Sequence, residues 1–244
     1  MTDGLLLLHA WPLDARMWAS QLETLAGRTA VVAPSHPGFG GTPPAGPVMT
    51  MEACARSALA ALDAAGIDRA VVCGLSIGGY VTFELWRRAA DRFLGMVLAN
   101  TRAQADAPEG RQGRYETAER LRAEGNFLVD QPPKLLAPDA PEVLAGHVRG
   151  LIADQPAEAI AAALAGMAER PDSTPDLAGI DVPTLVITST ADQLISREVS
   201  AEMARQIPGA RLETIQGVGH LTNLEAPEAF DRLLLEHLAV CGLG

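Results

Sequence analysis

Three side chains in this sequence could together perform acyl transfer, and they occur in the order Ser76, Asp192, His220. Ser76 sits in Val71-Val72-Cys73-Gly74-Leu75-Ser76-Ile77-Gly78-Gly79-Tyr80. A run with β-branched residues enters this stretch, and an apolar-periodic segment of helix formers leaves it, which predicts strand, sharp turn and helix with Ser76 at the apex. A side chain held on so tight a turn needs small residues two before and two after it, and Gly74 and Gly78 meet that need. The hydroxyl would stand above the sheet, where the start of the next helix offers unbonded N–H groups and its positive dipole end to a developing anion. A lone G-x-S-x-G is weak evidence. Its weight comes from the flanking elements and from an Asp and a His further on, each just past its own predicted strand.

His220 lies in Gly217-Val218-Gly219-His220-Leu221, a glycine-flanked loop that can bring an imidazole to a serine. An unperturbed imidazole titrates near about 6.5 and can take a hydroxyl proton at neutral pH. Asp192, in Thr190-Ala191-Asp192 after a strand, is placed to orient that imidazole and stabilise its cation, or else to cap a helix. Asp181 precedes the same strand and falls at the wrong end of a parallel sheet. Among the other histidines, His237 is expected on the solvent face of the last helix and His147 in a helical insertion. His9 and His36 follow strands and should hydrogen-bond within their loops. Attack on a carbonyl by Ser76 would need two donors for the oxyanion, one from Ile77 N–H and one from the loop after the first strand. That chemistry needs no cofactor. No His/Asp/Glu cluster has metal-ligand spacing, and the Gly38 to Gly41 loop lacks the Lys and Ser/Thr of a phosphate loop.

The elements that must position these residues alternate. Strands are expected at Leu5 to Leu8, Ala30 to Ala33, Arg69 to Cys73, Met96 to Leu98, Pro183 to Ser189 and Ala210 to Ile215. Helices are expected around Met17 to Leu25, from a Thr50 cap to Gly66, after Ser76, near Glu198 to Gln206, and from Pro227. Alternating strands and helices specify right-handed crossovers and a parallel sheet covered on both faces, an α/β class. Trp11, Ser76, Asp192 and His220 all fall just past strand ends, where such sheets keep their working loops. Between about Arg102 and Leu177 the alternation stops. Charged helical stretches at Tyr115 to Glu124, Glu142 to Asp154 and Ala157 to Glu169 are separated by Pro-rich breaks, which predicts a helical lid at 102–177 over a core of 1–101 and 178–244.

The 244 residues, 48% apolar and 20% charged, suit one domain with an insertion. A formal net charge of −11 argues against a nucleic acid or an anionic membrane as partner. Cys54, Cys73 and Cys241 are odd in number and widely spaced, as expected of core residues in a reducing cytoplasm. The short run Leu5 to Leu8 has no basic lead and is too short for a signal segment or a membrane span.

With these residues in place, the chain resembles the α/β-hydrolase superfamily from about Leu5 to Leu238. GLSIGG is similar to its nucleophile elbow, LLLLHAWPLDARMW to its oxyanion loop, PSHPGFGG to the loop after the following strand, STADQLIS to its acid turn, and GVGHLTNLEAPEAF to its His loop and final helix. The resemblance implies an α/β-hydrolase fold with Ser76 as nucleophile, Asp192 as acid, His220 as base, and Trp11 and Ile77 N–H groups as oxyanion hole. It is nearest in look to 3-oxoadipate enol-lactonase-like hydrolases and small carboxylesterases, which implies a small ester or lactone substrate. Perhydrolase or carbon–carbon bond hydrolase chemistry on the same triad, and a non-catalytic ligand-binding role, are the alternatives. Ser76 in the nucleophile position disfavours an Asp-nucleophile dehalogenase.

Leu194 and Leu221, beside the acid and base, and Phe127, Leu135 and Leu136 of the lid are expected to line the pocket. Arg102 is best placed to meet the carboxylate of an anionic lactone. Three positions depart from the family pattern. Ala10 stands where a Gly usually follows the His, so its Cβ is expected to crowd the oxyanion loop, and Ser35 replaces a frequent Asp. Relatives carry two strands before the oxyanion loop, whereas here His9 comes early, so the sheet is expected to lack its N-terminal β-hairpin and to pair an exposed edge in a homodimer.

Overall fold

The structure is a computed structural model that describes residues 2–243. Six strands form a single sheet: β1 (Asp3–Leu8), β2 (Ala30–Val32), β3 (Arg69–Leu75), β4 (Phe93–Ala99), β5 (Thr184–Ser189) and β6 (Arg211–Ile215). Their spatial order is β2-β1-β3-β4-β5-β6, and every pairing is parallel. Leu5 to Leu8, Val71 to Cys73 and Met96 to Ala99 have no more than 2% of their surface exposed, because a sheet covered on both faces buries alternate side chains equally well.

The helices in chain order are α1 (Ala19–Thr24), α2 (Met51–Ala64), α3 (Ile77–Ala89), α4 (Pro108–Glu124), α5 (Glu142–Ala153), α6 (Ala157–Ala168), α7 (Arg197–Gln206), α8 (Thr222–Glu225) and α9 (Pro227–Val240). Thr50 caps α2, its Oγ1 accepting from Ala53 N–H at 3.1 Å. The chain leaves β1 in one direction to make β2, then crosses back over β1 to make β3. Right-handed crossovers in opposite directions put their helices on opposite faces. Accordingly α1 packs with α9, and α2 packs with α3. The reversal leaves a crevice between the carboxyl ends of β1 and β3, so the Trp11 loop and the Ser76 turn face each other by topology.

Two expectations are corrected. His237 is 4% exposed, not solvent-facing, because it falls in register with Phe230, Leu233, Leu234 and Leu238 on the buried stripe of α9. Burial, with Arg211 nearby, lowers its pKa to about 4. The stretch 157–169 is not a charged surface helix, since every residue of α6 from Ala159 to Ala168 is buried. At the β1 end of the sheet the outermost described strand is the three-residue β2, with Ala30 exposed and Val31 and Val32 half-buried, while β1 is interior. Among the described residues, no helix is long and apolar enough to cross a membrane.

Candidate active site

Ser76 sits between β3 and α3 with φ 59° and ψ −117°, a backbone conformation that L-residues rarely adopt. Its surroundings enforce that geometry. Ser76 N–H donates to Ala99 O at 3.0 Å, and the Thr101 hydroxyl donates to Ser76 O at 2.7 Å. A Cβ on Gly74 would collide with the backbone of Gly78, one on Gly78 with Leu8 O, and one on Gly79 with the Thr101 side chain. The small-residue requirement is therefore steric. It extends to Gly79, whose role depends on a partner 22 positions away and left no local sign. Ile77 and Gly78 at the start of α3 have no preceding turn to bond their N–H groups, and the bonded turns begin with Gly79 N–H on Ser76 O at 2.9 Å.

His220 Nδ1 and Asp192 Oδ2 are 2.8 Å apart, and both side chains are at most 2% exposed. Asp192 is held on both oxygens. Oδ1 accepts from Leu194 N–H at 2.8 Å and Ile195 N–H at 3.1 Å in the turn before α7, whose cap position is Ser196, so Asp192 is not a helix cap, while Oδ2 also accepts from Asn100 Nδ2 at 2.9 Å. Burial opposes ionisation of this carboxyl, but the bonds from His220, Asn100 and the Leu194 N–H outweigh it and hold its pKa below the ordinary value. Asn100 has φ 44°, donates to Ser189 Oγ at 2.9 Å and accepts from the Thr222 hydroxyl at 2.8 Å. Ser189 in turn donates to Gly219 O at 2.6 Å. Asn100 thus joins β4, the acid turn and the His loop. It follows the end of β4 as Ser76 follows β3, and that position was the available signal.

Ser76 and His220 line one cavity of about 180 Å³ with Trp11, Tyr80, Arg102 and Leu194. The helical insertion contributes Arg114, Pro133, Leu135 and Met167 to its walls. Leu194 is 45% exposed at this cavity. Leu221 does not belong to it: the side chain is fully buried in the core, because the backbone bond from Leu221 N–H to Leu135 O at 3.0 Å turns that residue inward. Phe127 lines an adjoining outer cavity of about 570 Å³, which shares Trp11, Arg102, Arg114 and Pro133 with the inner one. Leu136 borders a separate hollow. Ala10 is fully buried, with its N–H on Met17 Sδ at 3.1 Å, and Trp11 Nε1 donates to Ile160 O at 3.2 Å.

Arg102 is not a free cation. With Arg114 and Arg170 it surrounds Asp106, whose side chain is 2% exposed. Burial opposes ionisation of Asp106, yet the bonds from Arg170 and Arg114 hold its carboxyl well below the usual carboxylate range. Three guanidinium groups share one carboxylate, so positive charge stays in excess where Arg102 and Arg114 border both cavities. Arg102 Nε is buried without a hydrogen-bond partner. Arg170 is 5% exposed and stacks on Tyr80, its guanidinium carbon 4.1 Å from the ring centroid. His9 and His36 were expected to bond within their own loops; His9 Nδ1 does meet Ala10 O at 3.0 Å, but the two residues also bond each other across loops, with His36 N–H on His9 Nε2 at 2.8 Å. Among the described residues, no three His, Cys, Asp or Glu side chains gather as a metal ion would require.

The chain is similar to several known hydrolases. The chain is 30% identical over 243 residues to the pimeloyl-[acyl-carrier protein] methyl ester esterase of Aromatoleum aromaticum, covering 92% of this chain and 93% of that protein. A thermophilic esterase from Thermogutta terrifontis superposes with a TM-score of 0.92 at 38% identity, over 99% of this chain and 90% of that one. The enol-lactonase from Burkholderia xenovorans LB400 does so with a TM-score of 0.88 at 30% identity, over 98% and 92%. The sequence profile of the alpha/beta hydrolase family matches residues 5–233. With hydrolases related to it over nearly its whole length, this enzyme belongs to the alpha/beta hydrolase family.

Proposed function

We propose that the protein is a serine hydrolase of small carboxylic esters or lactones, with Ser76 as nucleophile, His220 as base and Asp192 orienting the imidazole. The observation that carries this reading is the buried His220–Asp192 pair at 2.8 Å beside a cavity that also holds Ser76. Because Nδ1 is engaged by Asp192, Nε2 remains for the serine hydroxyl. Ser76 Oγ bonds to the carbonyl carbon as its proton passes to His220. The resulting oxyanion is met by the N–H groups of Ile77 and Trp11, each worth about 3 to 4 kcal/mol to the barrier in comparable sites. His220 returns the proton to the leaving oxygen, whose bond to carbon breaks. Water then attacks the acyl-enzyme through the same base, releasing the acid and restoring Ser76.

The substrate proposed is a small molecule carrying a negative charge, such as a monoester of a dicarboxylic acid or an acidic lactone. Excess guanidinium charge at Arg102 and Arg114, which border both cavities, supports it. The division of the chain into a core of 1–101 and 178–244 and a cap of 102–177 fits a cavity with walls from both. A cytoplasmic setting fits three free cysteines.

A fluorophosphonate probe tests the chemistry. Wild-type protein should be labelled, and Ser76→Ala and His220→Ala should lose labelling and turnover of short p-nitrophenyl esters. An unlabelled, folded wild type refutes the reading. For the substrate class, Arg102→Ala and Arg114→Ala should each lower the kcat/KM ratio of anionic to neutral esters by about tenfold or more, the worth of one charge-assisted hydrogen bond. An unchanged ratio removes that part.

A further inference from the structure

The backbone of 135–137, in the helical insertion, lies directly against the loop that carries His220. Leu135 O accepts from both His220 N–H and Leu221 N–H, each at 3.0 Å. The side chain of Glu225, at the end of α8, completes the junction. Its Oε1 accepts from Gly219 N–H at 2.9 Å, and its Oε2 accepts from Ala137 N–H at 2.8 Å. One carboxylate therefore holds the residue before His220 with one oxygen and the insertion with the other. The approach is close enough that a Cβ on Gly219 would strike the backbone of Leu136 and Ala137. Leu135, between these bonds, lines the cavity that contains Ser76 and His220.

We propose that Glu225 is a positioning residue that locks the His220 loop to the 135–137 segment, so that the imidazole is correctly placed only when that segment is docked. This rests on His220 being the base. The chemistry of the junction calls for a carboxylate. Two N–H donors converge on it, and only a group with acceptors at both ends satisfies them. An amide sets its own NH₂ against one of the donors, and protonation does the same with an O–H. The charged groups acting on Glu225 are Asp192, from the acid turn, and His220, from its own loop, while the insertion brings the Ala137 N–H. Burial, with Asp192 adding to it, raises the carboxyl above its ordinary pKa against the pull of those N–H bonds. Acidification therefore opens the lock before ordinary surface carboxylates titrate.

The test perturbs the lock from each side. Glu225→Gln removes one acceptor from within the His loop, and Ala137→Pro deletes the donor on the insertion side. Hydrogen exchange in both variants should rise together at 135–136 and 219–221 while β5 and α9 stay protected. Fluorophosphonate labelling of Ser76 should slow by about tenfold in each, with the double variant no slower than the worse single one. The acid limb of the labelling profile should move to lower pH in Glu225→Gln. If Ala137→Pro leaves 219–221 protected and labelling at the wild-type rate, Glu225 serves only its own helix and the proposal is overturned. Exchange reads the lock whether or not wild-type protein labels, so failure of the hydrolase reading and failure of the lock give different results.

Discussion

Replacing Asn100 separates a backbone requirement from a hydrogen-bond requirement at the acid. The side chain makes three buried bonds, to Asp192, Ser189 and Thr222, all between 2.8 and 2.9 Å. Each is worth about 1 kcal/mol net, so losing them costs about 3 kcal/mol. The residue also sits at φ 44°, where an ordinary L-residue costs about 1 kcal/mol more than glycine. Asn100→Gly should therefore lose about 3 kcal/mol and Asn100→Ala about 4, against a typical total of about 5 to 15. Activity should fall equally in both, because each removes the same donor from Asp192. Three donors remain on that carboxylate, from His220, Leu194 and Ile195, so kcat/KM on a p-nitrophenyl ester should drop about tenfold, or about 1.4 kcal/mol, and not vanish. Urea unfolding and steady-state kinetics on the two variants measure both quantities. Wild-type kcat/KM in Asn100→Gly would show that Asn100 only shapes the turn, and equal stability of the two variants would refute the backbone argument.

Asp106→Asn leaves three guanidinium groups around a neutral amide and should destabilise the protein by about 3 kcal/mol or more, read as a lower thermal midpoint. Because the Asp106 carboxyl is held below its ordinary value, wild type keeps this stabilisation at neutral pH and loses it as pH falls below about 4. The variant should show a flatter acid limb there. His9 and His237 act in the same direction at higher pH, each lowered to about 4 by burial. The unfolded chain takes up their protons first, so each should cost roughly 3 kcal/mol of stability as pH falls from about 6.5 to 4. His237→Leu should remove up to about 1.4 kcal/mol per pH unit from the slope of denaturant stability in that window. The open β2 edge supports a proposed homodimer formed by strand pairing. Light scattering should show mass rising with concentration, and a monomer throughout would end that idea.

The sheet and most helices were legible because their signals are local: apolar runs at Leu5 to Leu8 and Met96 to Leu98, a Thr50 cap, a Pro227 start. The His220–Asp192 contact was also legible, since a parallel sheet gathers residues that follow its strands even when 28 positions separate them. What stayed hidden depends on partners remote in sequence. Glu225 reads as an ordinary polar residue at a helix end until Ala137, 88 positions earlier, is beside it. Arg102 reads as a free cation until Asp106 gathers Arg114 and Arg170 around it. His237 was misread by residue type, although its spacing from Phe230 and Leu234 already placed it on the apolar stripe.

Helix α6 constrains how substrate can enter. It is apolar almost all round, its Ala162 O takes a bond from Met49 N–H at 3.0 Å, and Gly166 lies so close to Met49 that any side chain there would strike its backbone. A helix embedded in this way works as a roof beam and cannot swing as a door. Opening the cavity must fall to a lighter piece, the Pro132-Pro133 turn, because α4 is itself packed along α6, and the aperture it leaves has a fixed ceiling. Substrates should then be sorted by girth at the rim more sharply than by length, because the outer cavity gives a long chain somewhere to lie while the beam does not rise for a wide one.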